Sequence, residues 1–252
     1  LNPMETIAQT LARELGVKEE YVNNVVALID EGSTIPFIAR YRKELHGSMD
    51  DQVLRTLADR LEYLRGLEER KQAVKKAIEE QGKLTDELAA ALDAAVTLAE
   101  VEDLYRPYKQ KRRTRATIAR EKGLEPLARL LFDQAPACPA PEEAARDYLD
   151  PEKGVETAAD ALQGANDIVA EWISDDADIR KSLRELLLRR GKQTTKAATE
   201  EDSVYRLYYN ITQPLNRLQG YQVLAINRGE REEKLSVAVE IDRETALPAL
   251  RR

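Results

Sequence analysis

One feature limits this chain more than any other. Apolar residues recur at helical spacing almost from end to end, and the longest such run lies within residues 50–81. Its seam is Leu54, Leu57, Leu61, Leu64, Leu67, Val74 and Ile78, with Glu, Lys and Arg on the other faces. Steps of three, four and seven place these side chains on one stripe of a single long amphipathic helix of about eight turns. Ser48-Met49-Asp50-Asp51 supplies a start and Gly82 a stop. Aromatics are only 5% of the residues and charged residues 34%, which disfavours a β-sandwich and suits helices with broad solvated faces. The predicted fold class is mainly α, a multi-helix array with at most one or two short β-strands near the C-terminus.

Shorter helices are predicted around this one. Residues 5–15 place Ile7, Leu11 and Leu15 on one face, Gly16 breaks the run, and a second helix begins near Lys18 with Val22, Val25, Val26 and Ile29. Ala12 four residues before Gly16 is the spacing of a helix-turn-helix. The second helix is acidic, however, and offers only Asn23 and Asn24 to base edges, so a plain αα-hairpin remains open. Ser33-Thr34-Ile35-Pro36 starts a further helix through Lys43. Thr85-Asp86-Glu87 opens another, read as continuous to Pro107. After a proline-rich stretch at 136–141, helices are expected over 142–149, 155–174 and from Asp178. Tyr205, Tyr208 and Tyr209 beside Arg206 suit either base stacking or a packed helix. Residues 215–232 fit a helix or a hairpin arm. SVAVEID (236–242) alternates like a strand and has no evident partner elsewhere in the sequence, so it is expected to pair outside this chain.

Charge is strongly segregated. Residues 1–103 hold 13 Lys and Arg against 21 Asp and Glu, residues 104–131 hold 9 against 2, and residues 132–252 hold 17 against 23. A basic island therefore sits between two acidic arms. Its cations are Lys109, Lys111, Arg112, Arg113, Arg115, Arg120 and Lys122. Such a run could neutralise phosphates without sequence choice, or it could dock on acidic helices of the same chain.

Much chemistry is starved of residues. One Cys (Cys138) and one His (His46) exclude a disulfide framework and Cys/His zinc sites. No two glycines are closer than nine positions, so GxGxxG and GxxxxGK[ST] phosphate loops are absent. Adjacent acids at Asp50-Asp51 and Asp175-Asp176 suit helix starts better than catalysis. The expectation is a non-enzyme with no cofactor and no metal. A lone thiol fits a reducing cytoplasm, and no signal-peptide core or membrane span is evident.

Three runs carry a resemblance: STIPFIARYRKELHGSMDDQVLRTL (33–57), EVEDLYRPYKQKRRTRATIAREKGLEPLARLL (100–131) and YQVLAINRGEREEKL (221–235). In this order they resemble the Tex family of bacterial transcription accessory proteins, over essentially the whole chain. The resemblance implies an N-terminal helical portion. Family members continue into RNase H-like, helix-hairpin-helix and OB-fold RNA-binding domains, which 252 residues cannot accommodate. It implies as partners those downstream domains, RNA or DNA bound weakly, and RNA polymerase or other transcription proteins. His46 departs from the family, which more often has Thr before the Gly-Ser. Expected segments are an N-terminal helical domain (1–103), a basic connector (104–135), a linker (136–141) and a second helical segment with a strand-like tail (142–252). Two functions stay open: a scaffold with a secondary phosphate contact through the island, or a scaffold for proteins alone.

Overall fold

The computed structural model describes residues 5–251. The chain divides into two compact units, one ending at Gln110 and the other starting at Lys111. Among the described residues no helix is long and apolar enough to cross a membrane.

The first unit is all helical: α1 (Ile7–Leu15), α2 (Glu19–Asp30), α3 (Ile35–Tyr41), α4 (Lys43–His46), α5 (Asp51–Glu80), α6 (Asp86–Ala94) and α7 (Leu98–Tyr105). Thr6 closes a capping box with Gln9 at the head of α1, and Gly16 ends it in the left-handed conformation that a β-carbon disfavours. Asp50 accepts from the Val53 amide at the start of α5. All seven seam residues of α5 are buried, against Leu11, Val22, Val25, Ile38, Leu92 and Val101 of the shorter helices. Each such side chain contributes about 1.5–3 kcal/mol by leaving water. An eighth position of the seam is Lys71, 5% exposed, whose stem lies in the apolar stripe while its ammonium donates to the Asp93 carbonyl at 2.8 Å. Desolvation pushes the Lys71 ammonium below its ordinary pKa.

The run expected as one helix from 85 to 107 is two. Thr97 accepts from the Glu100 amide at 3.2 Å, and the Glu100 carboxylate accepts from the Val96 amide at 2.7 Å. These bonds give the backbone a better alternative than helix at Ala95–Thr97, so α7 restarts there.

The second unit contains α8 (Arg115–Glu121), α9 (Glu125–Asp133), α10 (Pro141–Ala145), α11 (Ala158–Asp175), α12 (Ala177–Arg190), β1 (Lys192–Ala197), β2 (Ile211–Pro214), α13 (Gly220–Arg231), β3 (Leu235–Glu240) and α14 (Arg243–Leu250). Its helical core joins Ala116, Ala119, Leu124, Leu127, Ala161, Ala165 and Ile168. Alanines and Gly164 let α8 and α9 approach α11 closely: a β-carbon on Gly164 would collide with Leu124.

The strand expectation needs two corrections. The sheet has three strands rather than one or two, in the order β2-β1-β3, both pairs antiparallel. The 236–242 segment is also not partnerless, for β3 pairs with β1 from Lys192↔Glu240 to Ala197↔Leu235. The partner, KQTTKA, carries no apolar alternation, so nothing in the sequence marks it as a strand. Gly191 turns to extended backbone and ends α12, releasing it. The 202–211 run forms a 3-10 turn, Arg206–Tyr208, and leads into β2 at Ile211. The ambiguous 215–232 region is a 3-10 turn, Leu215–Arg217, followed by the helix α13, whose Gly229 lies against Leu235 and Tyr205. Tyr205 is buried and donates to Glu232 at 2.8 Å, so it has no free face to offer a base.

Candidate nucleic-acid interface

Three carboxylates define this region. Asp167, Glu171 and Asp175 recur every four residues along α11, so they share one face of the helix. The apolar side of the same helix (Ala161, Ala165, Ile168) is committed to the core. The acidic stripe meets the basic segment that leads into α8. Lys111 forms ion pairs with Asp175 and, at 3.6 Å, with Glu171. Arg120 donates to Glu171 at 2.8 Å and lies 3.7 Å from Glu125. Thr114 donates its hydroxyl to Glu171 at 3.1 Å. The same hydroxyl accepts from the Thr117 amide and caps α8. Glu171 thus gathers three donors from one short stretch of chain and fixes the start of α8.

The other island cations are held more loosely. Arg113 pairs with Glu121 at 2.7 Å, both side chains more than half exposed. Arg115 stands 3.8 Å from Asp167 and is 84% exposed. Arg112 is exposed, with no ion pair among the described residues. Lys122 is half-buried and donates to the Gly154 carbonyl at 3.3 Å. Lys109 belongs to the first unit, where it pairs with Glu102 at 2.5 Å and lies over the Tyr105 ring. Arg70 bonds the same carboxylate at 2.5 Å, and the Arg70 hydrogen bond, ahead of the Lys109 one, holds Glu102 below the ordinary carboxyl range. Within the second unit Lys111 and Arg120 are locked to the acidic stripe, Lys122 bonds the Gly154 carbonyl, and Arg112, Arg113 and Arg115 project to solvent, while Lys109 is engaged within the first unit.

Other candidates resolve simply. Asn24 donates its side-chain amide to the Leu45 carbonyl at 3.1 Å, leaving only Asn23 exposed of the two residues that could read bases from α2. Trp172 packs edge-on against Phe132, with the Arg129 guanidinium 4.3 Å above its ring. His46 is buried, and neither ring nitrogen has a hydrogen-bond partner among the described residues. The acidic stripe escaped the sequence reading, although its four-residue spacing beside the apolar stripe was the available signal.

Fold and site together define a class: two units of amphipathic helices, the second also holding a small sheet and a basic segment anchored on an acidic helix of that unit. Sequence comparison makes this specific. The profile of the Tex-like protein N-terminal domain matches residues 5–79, and that of the Tex central region-like family matches residues 137–250. The chain belongs to the Tex family. It is 46% identical over 247 residues to Protein tex of Bordetella pertussis and 42% identical over 236 residues to the transcriptional accessory protein Tex of Neisseria gonorrhoeae. These alignments cover 96% and 92% of this chain and 31% of each relative. The human S1 RNA-binding domain-containing protein 1 is 31% identical over 246 residues, covering 93% of this chain and 24% of that protein. The chain thus spans about a third of the bacterial relatives' length.

Proposed function

We propose that this chain is a non-catalytic helical scaffold of a transcription accessory protein, acting in the cytoplasm, with a weak and sequence-independent RNA contact at Arg112, Arg113 and Arg115. The observation that carries it is the division of labour within the basic island. Lys111 and Arg120 are bound to Glu171 and Asp175, while the three arginines between them reach solvent. A cation already paired in a half-buried seat releases few counterions on meeting a phosphate, whereas an exposed arginine releases close to a full share. RNA is favoured over DNA by the name of the human relative, and a role in transcription by that of the Neisseria protein.

The test is fluorescence anisotropy of the chain with single-stranded RNA and with duplex DNA across a salt series. Changing Arg112, Arg113 and Arg115 to Gln should flatten the log–log salt slope on single strands by about two units, at roughly 0.7 per contact. Circular dichroism should stay unchanged. Absence of RNA binding by the wild type at low salt would refute the phosphate contact. The extent to which the island's cations are engaged internally would then favour a scaffold for proteins such as RNA polymerase.

A further inference from the structure

A second cationic surface lies in the first unit, on α3. Phe37 and Tyr41 stand four residues apart and so share one face of that helix, their ring centroids 5.3 Å apart and the rings tilted by 46°. Neither is absorbed into the core: Phe37 is 39% exposed and Tyr41 56%. Ile38, between them in sequence, is the residue that α3 buries. The Arg42 guanidinium lies 5.3 Å from the Phe37 ring centre, and that of Arg40 lies 5.9 Å from the Tyr41 ring centre.

The charge here is uncompensated. Residues 35–43 hold Arg40, Arg42 and Lys43 and no acid, inside a stretch of sequence that is otherwise acidic. Among the described residues none of the three forms an ion pair. The Arg42 guanidinium donates to the neighbouring Tyr41 carbonyl, at 3.3 Å. A shallow cleft beside them is lined by Pro36, Ala39, Arg40, Lys43 and Asp51, and its one carboxylate already accepts from Arg55 at 2.7 Å. Elsewhere in this unit arginines meet carboxylates squarely: Arg60 with Glu14, Arg65 with Asp30, Arg70 with Glu102.

We infer that the exposed Phe37–Tyr41 pair, flanked by Arg40, Arg42 and Lys43, is a docking surface for single-stranded nucleic acid. The uncovered aromatic faces take unpaired bases, and the arginines, which lie over the rings, take the flanking phosphates. Stacking on two neighbouring rings with adjacent guanidinium groups is the chemistry by which single strands are held without sequence choice. A duplex, with its bases already stacked on one another, cannot use the rings. An acidic peptide would satisfy the cations, but two adjacent exposed rings fit bases better.

The test uses the whole chain and a labelled oligouridylate of about twelve nucleotides, within the site size of single-strand binders. Replacing both rings (Phe37→Leu with Tyr41→Leu) keeps apolar bulk and removes the π faces. Affinity for the oligonucleotide is expected to fall about tenfold, with the salt slope unchanged. Arg40→Gln with Arg42→Gln is expected to flatten the slope by about 1.4 units, two contacts' worth on a single strand. Tyr41→Phe is expected to bind as the wild type does. The tenfold ratio should persist when Arg112, Arg113 and Arg115 are all Gln, which separates this surface from the basic island. The inference is overturned if the leucine variant, with unchanged circular dichroism, binds the oligonucleotide as tightly as wild type. Loss of affinity for a duplex by the same factor would also overturn it. So would a leucine variant that loses only a labelled acidic, aromatic-containing peptide, which would make the surface a protein site.

Discussion

Glu171→Ala tests the anchoring of the basic segment directly. The carboxylate accepts from Arg120 at 2.8 Å and Thr114 at 3.1 Å, and lies 3.6 Å from Lys111. Its removal does not strand every partner. Lys111 keeps Asp175, and Arg120 keeps the exposed Glu125 at 3.7 Å. The lost charge-assisted bond to Arg120 would be worth roughly 1.5–3 kcal/mol if fully buried, but that side chain is 31% exposed, so about 1 kcal/mol is appropriate. The Thr114 bond adds about 1 kcal/mol more. The second unit should therefore lose about 2 kcal/mol, or roughly 6 °C in melting temperature for a unit of this size. Trp172, the sole tryptophan, sits next to Glu171 in that unit, so urea unfolding followed by its fluorescence isolates the effect. The same variant leaves Arg120 only its exposed 3.7 Å approach to Glu125 and should steepen the RNA salt slope by up to about 0.7. An unfolding midpoint equal to the wild type's would show that the stripe does not anchor the segment.

Two further outcomes follow from the packing and from the ion pairs. Gly164→Ala should cost about 1–3 kcal/mol, because the new methyl meets the buried Leu124, whereas Gly66→Ala on the solvated side of α5 should stabilise by about 1 kcal/mol. Urea midpoints of opposite sign would check both. Glu14 is held below the ordinary carboxyl range, chiefly by the hydrogen bond from Arg60. Its folded pKa lies below its unfolded one, so its contribution is complete above about pH 4.3 and is lost as pH falls through the folded value. Arg60→Ala should therefore be less stable near neutrality and lose less on acidification, which urea midpoints at about pH 5 and about pH 3 would reveal.

What could be read from the sequence depended on whether a side chain's partner lies on its own element. The seam of α5 was legible because helical periodicity is local, and each of its seven members is buried. Lys71 was not, since its place in that seam depends on a carbonyl 22 residues away. The break at Ala95–Thr97 was masked by a run of alanines that suits helix, although Thr97 followed by Glu100 is a recognisable cap. β1 was invisible because its Thr and Lys side chains show no apolar alternation, and its strand character comes from neighbours at 211–214 and 235–240. The island itself was plain in composition, but its anchoring was not. Lys111 and Asp175 are 64 residues apart, and nothing local distinguishes Lys111 from Arg112.

That distinction governs how the island behaves towards a polyanion. If all seven cations contacted phosphates of a single strand, the log–log slope would be about −5, and a fourfold rise in salt would cut affinity about a thousandfold. If only Arg112, Arg113 and Arg115 do so, the slope is about −2 and the same change costs about twentyfold. The difference is the four cations already engaged within the chain: Lys109 on Glu102, Lys111 on Asp175, Arg120 on Glu171, and Lys122 on the Gly154 carbonyl. Arg115 tests the edge of that division, because at 84% exposure its 3.8 Å approach to Asp167 is too weak to compete with a phosphate. The acidic stripe consequently does two things at once. It orients the entry to α8 by holding Lys111, Thr114 and Arg120, and in doing so it leaves the intervening Arg112 and Arg113 pointing outward. Anchoring and exposure are then consequences of one geometry, with the residues that fix the segment setting the number of cations free to bind.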